Sequence, residues 1–221
     1  MKPHPPLVAV ISAVAAAIPP ARAAFDALFP DATVWNVVDD RLVDDAGGGI
    51  TPRLVARMQR LIDHAVVEGA DAVLLSCSMY AEVAHSADVD VAIPVHGPDD
   101  GLFGAVAAGG FRRIALVSPA ADPLADSLAR MRQIVASDVT VVGIVAADAP
   151  AAARAGDVDA LVDAVVSAVG HVSPKPDVVV LGQYSLAAAA PGVQAVVGLP
   201  TLSAPEHAVR RLQTLLTGGA S

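Results

Sequence analysis

Short apolar runs recur along this chain, separated by longer segments with a helical rhythm. Leu7 to Ser12 reads LVAVIS, Asp71 to Ser78 reads DAVLLSCS, Arg113 to Ser118 reads RIALVS and Asp177 to Tyr184 reads DVVVLGQY. Runs this short, rich in Val, Leu and Ile, are the pattern of parallel strands covered on both faces. Between them, Leu54, Val55, Met58, Leu61, Ile62, Ala65 and Val66 keep the helical period over 52–68. Thr51 is placed to cap that helix and Pro52 suits its first position. Leu124, Leu128, Met131 and Val135 form a second stripe opened by Asp122-Pro123, and Val158, Leu161, Val162, Val165, Val166 and Val169 form a third. Ser203 to Glu206, SAPE, is a capping box that opens a last helix.

These blocks repeat. LVAVIS matches RIALVS at an offset of 106, DAVLLSCS matches DVVVLGQY at 106, and IPVHG from Ile93 matches LPTLS from Leu199 at 106. TVWNVVDD from Thr33 matches TVVGIVAAD from Thr140 at 107. A shared offset implies a duplicated unit. The expected fold class is α/β, with two pseudo-symmetric lobes, each a parallel four-stranded sheet with flanking helices. The boundaries read as 1–110 and 111–221, with the last helix able to pack back on lobe one. LVAVISAVAAAI followed by Ala21 to Ala23 imitates a secretory leader. The repeat favours a first strand there instead.

Composition narrows the function. The chain has 221 residues, is 54% hydrophobic and carries 23 acidic against 14 basic residues, a net charge of -9. Without a basic face to neutralise phosphates, nucleic acid is not an expected partner. No apolar run reaches the length of a membrane span, so a membrane is not expected either. One cysteine makes no internal disulfide, and no Cys/His spacing suggests zinc. This fits a reducing, cytoplasmic setting. No G-x-G-x-x-G is present, so a nicotinamide cofactor is not supported. Paired acids could bind a hard cation, but no convergent ligand set is visible, and no metal is expected.

Ligands of open α/β sheets bind beyond the carboxyl ends of the strands. Those ends carry Ser12; Asn36, Asp39 and Asp40; Ser76, Cys77 and Ser78; Ser118; and Gln183, Tyr184 and Ser185. A cleft between the lobes would collect them. Cys77 reads either as a reagent at a strand end or as a small buried residue. Asn36, Asp39 and Asp40 could recognise an ammonium or hydroxyl group, or satisfy local backbone in a turn. Asp44 and Asp45 read as a solvated loop edge. Gln183 could donate its amide to a ligand or satisfy a loop. Tyr184 could donate its phenol or pack its ring. His96 could shuttle protons or be a hydrogen-bonded loop residue. His64 and His85 read as structural or solvated.

With LLSCSMY, NVVDDRLVDD and VVLGQYSL in view, the chain resembles the aspartate/glutamate racemase superfamily, over Leu7 to Leu216. Hydantoin racemase, maleate isomerase and arylmalonate decarboxylase are relatives. The resemblance implies a cofactor-independent enzyme that moves a proton at the carbon next to a carboxylate of a small acid. In such racemases each lobe brings one cysteine. Cys77 matches the first, and the offset of 106 puts Gln183 where the second belongs. A carboxamide accepts no proton near neutrality, so two-thiol racemisation is disfavoured and one-thiol decarboxylation or isomerisation remains. Tyr184 and His96 are candidates for a second acid or base. Ser12, Ser76, Ser78, Ser118, Tyr184 and Ser185 could cradle the carboxylate as charge builds on it. The alternative is a non-catalytic carboxylate-binding or sensing protein. Relatives often pair, which makes a homodimer an expectation.

Overall fold

The structure, a computed structural model, describes residues 4–47, 49–86 and 91–218. It contains two four-stranded, all-parallel sheets. The first is built from β1 (Leu7–Ser12), β2 (Thr33–Val38), β3 (Ala72–Leu75) and β4 (Val95–His96), in the order β2-β1-β3-β4. The second is built from β5 (Arg113–Ser118), β6 (Thr140–Val145), β7 (Val178–Leu181) and β8 (Thr201–Ser203), in the order β6-β5-β7-β8. The helices between them are α1 (Ile18–Leu28), α2 (Arg41–Asp44), α3 (Pro52–Val67), α4 (Ala81–Ala84), α5 (Asp100–Ala108), α6 (Ala121–Ile134), α7 (Ala149–Ala155), α8 (Val158–Gly170), α9 (Ala190–Val197) and α10 (Ala204–Gly218). Residues up to Asp100, with the segment from Pro205 onward, form one compact unit; Gly101–Ala204 forms the other. Most of α10 therefore belongs with the first unit, and α5 beyond Asp100 with the second.

The duplication is written in backbone hydrogen bonds. Ser76 N–H donates to Ile11 C=O at 3.0 Å, and Gly182 N–H to Val117 C=O at 2.9 Å. Val73 N–H donates to Pro94 C=O, and Val179 N–H to Pro200 C=O, both at 2.9 Å. Side chains repeat the theme. The Asp71 carboxylate accepts the Leu7 N–H at 2.7 Å, and the Asp177 carboxylate accepts the Arg112 and Arg113 N–H groups at 2.7 and 3.1 Å. Each acid supplies an acceptor where the central strand of its sheet begins.

Each unit has its own core. In the first, Ala9 and Ile11 of β1 and Val73 and Leu75 of β3 meet Leu54, Met58, Ile62 and Ala65 of α3. Each large side chain so buried contributes roughly 1.5–3 kcal/mol before entropy is counted. Thr51 Oγ1 accepts the Leu54 N–H at 3.4 Å, so α3 starts where its pattern predicts. In the second unit, Val117, Val179 and Leu181 meet Leu161, Val165 and Val169 of α8. The Asp157 carboxylate caps α8 through the Ala160 N–H at 3.0 Å.

Helix α6 differs from its expected start. It opens at Ala121 after Ala120, without a side-chain cap, so Asp122 and Pro123 lie in its first turn. Leu128 lies over Gly143 of β6, where an added Cβ would come within 2.5 Å of its Cδ1. Val135 falls just past the helix, its N–H on the Met131 carbonyl. Among the described residues, no helix is long and apolar enough to cross a membrane.

Asp177→Ala removes the acceptor of two N–H groups and should cost about 1–2 kcal/mol in urea unfolding. Asp71→Ala, which strips one, should cost less.

Candidate active site

In the first unit, β1 and β3 run side by side, with Ile11 opposite Leu75. The residues that follow that rung meet beyond the sheet. Ser76 Oγ donates to Ser12 Oγ at 2.8 Å, and both side chains are buried. Cys77 comes next. Its backbone is extended (φ -109°, ψ 117°), and its carbonyl accepts the Tyr80 N–H at 3.1 Å to open the tight turn Ser78–Tyr80. Cys77 is 8% exposed, the most exposed member of the buried cluster it joins. The residue sits at the rim of the core, and its thiol is largely buried.

The electrostatics of that position are one-sided. Burial pushes the Cys77 thiol up to about 11, and the charge of Asp99 pushes the same way. The Met79 and Tyr80 N–H groups favour the thiolate but do not outweigh burial. Cys77 is therefore a thiol at neutral pH, a proton donor and a poor resting base. Tyr80 is fully buried, and its phenol donates to the Leu42 carbonyl at 2.8 Å. Burial, then the neighbouring Cys77, push that phenol up to about 12.

The acids after β2 divide. Asp39 is bound edge-on by Arg57, with contacts of 2.5 and 2.6 Å. Arg57 also reaches Asp45 at 2.9 Å, and Arg41 reaches it at 3.1 Å. Asp45 is thus exposed, as its sequence suggests, and is also an ion-pair partner; the Arg41 hydrogen bond holds its carboxyl below the usual range. Asp40 is exposed at the start of α2. Asn36 lies within β2, opposite Val10, and not at the strand end. Its Oδ1 is buried with no hydrogen-bond partner among the described residues.

His96 ends β4 and is 9% exposed, with Nδ1 3.6 Å from Asp100 Oδ2. Asp100 also meets His85 Nε2 at 2.9 Å and accepts the Gly97 N–H at 2.9 Å. Burial pushes its carboxyl up, but these partners outweigh burial and hold it below the usual range. A Cβ at Gly97 would meet Asp100 at 2.9 Å, so glycine is what lets the carboxylate close on that N–H. His64 meets Trp35 ring edge to face at 5.4 Å, a packing role.

The second unit repeats the backbone and changes the chemistry. Gln183 has the extended conformation of Cys77 (φ -138°, ψ 141°), and its carbonyl accepts the Leu186 N–H at 3.0 Å. Tyr184 is buried and Ser185 half-buried in the turn Tyr184–Ala189. Ser118 ends β5 as Ser12 ends β1, but Gly182 stands where Ser76 would be. A Cβ at Gly182 would lie 3.2 Å from Leu116 and 3.3 Å from the Val117 carbonyl oxygen, a tight fit. Ser118 Oγ is consequently buried with no hydrogen-bond partner among the described residues.

Three site features escape the sequence reading: Arg57, Tyr80 and Asp99. Arg57 lies on the exposed side of a helix pattern. Tyr80 closes the same LLSCSMY segment and could have been noticed there. Asp99 follows β4, whose pairing with β3 is long-range, and its charge bears on Cys77. Among the described residues, no group of three or more His, Cys, Asp or Glu side chains is arranged to hold a metal ion.

Two duplicated four-stranded parallel sheets, with strand-end residues in matching registers, are a fold also found in solved racemases and a decarboxylase. Glutamate racemase from Thermus thermophilus, in complex with beta-chloro-D-alanine, matches at a TM-score of 0.77 and 17% identity, over 99% of this chain and 83% of that one. Aspartate racemase from Picrophilus torridus matches at 0.71 and 11%, over 96% and 94%. A double mutant of arylmalonate decarboxylase in the liganded form matches at 0.58 and 23%, over 98% and 94%. At these identities the likeness is one of fold. No protein-family model and no curated protein sequence matches the chain.

The Cys77 thiolate absorbance should rise with a midpoint of about 11. An unfolded thiol ionises from 9.0, so between 9.0 and 11 the unfolded state binds fewer protons. Stability present below pH 9.0 is then lost as pH rises toward 11, by up to about 3 kcal/mol. Chemical melts of wild type and Cys77→Ser across that window measure the difference. Tyr80→Phe leaves the buried Leu42 carbonyl without its donor and should cost about 1–3 kcal/mol.

Proposed function

We propose that this chain is a cofactor-independent enzyme that delivers a proton to the carbon next to a carboxylate of a small acid, with Cys77 as its single acid. The observation that carries the reading is the pairing of like backbone with unlike chemistry at Cys77 and Gln183. Two matching strand ends open two matching turns, and a sulfur stands at one of them only. The neighbours in fold are racemases and a decarboxylase, which supports an enzyme of that kind. The arylmalonate decarboxylase structure is itself a variant with a cysteine introduced for an earlier glycine and a serine in place of a later cysteine. An early cysteine without the later one has a structural precedent there.

The high proton affinity of Cys77 favours donation over abstraction. In a decarboxylation, the bond to the departing carbon dioxide breaks and its electron pair enters an enediolate. The Cys77 S–H bond then breaks, its proton forms the new C–H bond, and the electron pair stays on sulfur. Water returns a proton to the thiolate. Racemisation of an amino acid would first require the thiolate as a base, which the buried site disfavours. Gln183 and the Ser118 hydroxyl are suited to carboxylate oxygens, since both donate hydrogen bonds without carrying charge. A dimer in solution is part of this reading.

The second reading, a protein that binds or senses carboxylates without turnover, is motivated by Gln183 itself. Incubation with malonates, maleate and amino acids in D₂O separates the two. A substrate should gain one deuterium at the carbon next to its carboxylate. Cys77→Ser should lose at least about a hundredfold in rate and keep the ligand-induced rise in melting temperature. A ligand-induced rise without deuterium entry in any compound would favour the binder.

A further inference from the structure

The turn that carries Cys77 is tied on both sides, and the ties meet at Asp39. Before the sulfur, Ser76 Oγ donates to Ser12 Oγ at 2.8 Å, and the Ser12 carbonyl accepts the Asp39 N–H at 3.0 Å. After it, the Cys77 carbonyl accepts the Tyr80 N–H at 3.1 Å, and the Tyr80 phenol donates to the Leu42 carbonyl at 2.8 Å. The Leu42 N–H in turn donates to the Asp39 carbonyl at 3.2 Å. Cys77, Tyr80 and Leu42 lie in one buried cluster. Arg57 of α3 closes on the Asp39 carboxylate at 2.5 and 2.6 Å and reaches Asp45, just past α2, at 2.9 Å. The Asp39 side chain is only 14% exposed, so loss of its cation would leave a poorly solvated charge.

The second unit builds the same backbone without these side chains. The Leu186 N–H reaches the Gln183 carbonyl at 3.0 Å, the Ala146 N–H the Ser118 carbonyl at 2.9 Å, and the Ala149 N–H the Ala146 carbonyl at 3.1 Å. Leu186, Ala146 and Ala149 stand where Tyr80, Asp39 and Leu42 stand in the first unit, and all three are buried apolar residues. Such a turn therefore forms on packing alone. The phenol and the ion pair are more than the fold requires, and at these places they occur in the unit that holds the sulfur.

We propose that Tyr80 and the Asp39–Arg57 pair form one positioning unit for Cys77: they hold its turn closed and keep the sulfur in a fixed place at the strand end. This rests on the reading of Cys77 as the acting acid. Asp39 is then a junction of the scaffold and not a ligand for an ammonium group.

The test is iodoacetamide alkylation of Cys77, the one thiol of the chain, at fixed pH in urea below the unfolding transition. Tyr80→Phe removes the hydroxyl and Arg57→Gln the positive charge. Each should speed alkylation about tenfold, the weight of one buried hydrogen bond in a local opening. The gain should not vary with urea in that range, and Arg57→Lys should restore part of the protection. The double variant should react no faster than the faster single one, because both act along one path. Ile62→Val, which loosens the same core away from the tie, should react at the wild-type rate. Wild-type rates in Tyr80→Phe, or rates that climb with urea as global unfolding does, overturn the proposal. So does a double variant whose effects multiply. If Tyr80→Phe does not fold, Arg57→Gln against Arg57→Lys decides. Iodoacetamide needs no substrate. Unimpaired turnover in Cys77→Ser would remove the proposed function, whereas alkylation unresponsive to Tyr80→Phe would remove the positioning unit alone.

Discussion

The position of Cys77 depends on the register of β3 against β1. The Ser76 N–H reaches the Ile11 carbonyl at 3.0 Å and holds the strand ends level. Side chains alternate across a sheet, so a slip of one residue would exchange the directions of Ser76 and Cys77. Register here is secured from both faces. Ala9, Ile11, Val73 and Leu75 are committed to the α3 side, and Val8, Val10, Ala72 and Leu74 are equally buried on the other. The slipped arrangement would have to repack both layers. A hydrophobic constraint along the strands thus sets where a polar cluster begins.

Polar groups then accumulate at the one edge where the core ends. Ser12, Ser76, Ser78, His96 and Asp99 are all buried in the first unit around Cys77 or beside its strand. Burying such groups costs free energy unless they are bonded, and the Ser76–Ser12 hydrogen bond offsets part of that cost. Burial and charge have the same effect on the sulfur. Together they define a thiol that gives up its proton only to a strong base, such as a carbanion.

The second unit shows what duplication preserves and what it releases. Backbone contacts recur nearly unchanged, because parallel pairing of buried strands tolerates little variation. Side chains at the strand ends carry no such obligation. Ser76 has Gly182 as its counterpart, and close contact with Leu116 and the Val117 carbonyl accounts for the smaller residue. Cys77 has Gln183. The outcome is a bonded pair of hydroxyls just before a sulfur in one unit, and in the other a Ser118 hydroxyl with no hydrogen-bond partner among the described residues. A symmetric scaffold thereby presents asymmetric chemistry.

The duplicated α/β plan, the strand ends and the start of α3 were legible in the chain, because parallel strands and amphipathic helices impose local periods. So was the Cys77–Gln183 contrast, which needs only a constant offset. Residues whose meaning depends on a neighbour distant in sequence were not. Asp39 reads as a free acid until Arg57 arrives from α3, and Asn36 reads as a strand end until β1 fixes its rung. Asp99 reads as one of two adjacent acids until packing buries it, while Asp100 takes His85 and the Gly97 N–H. Local period determines which elements form; only packing decides which polar groups share a low-dielectric space, and that sharing sets their charge.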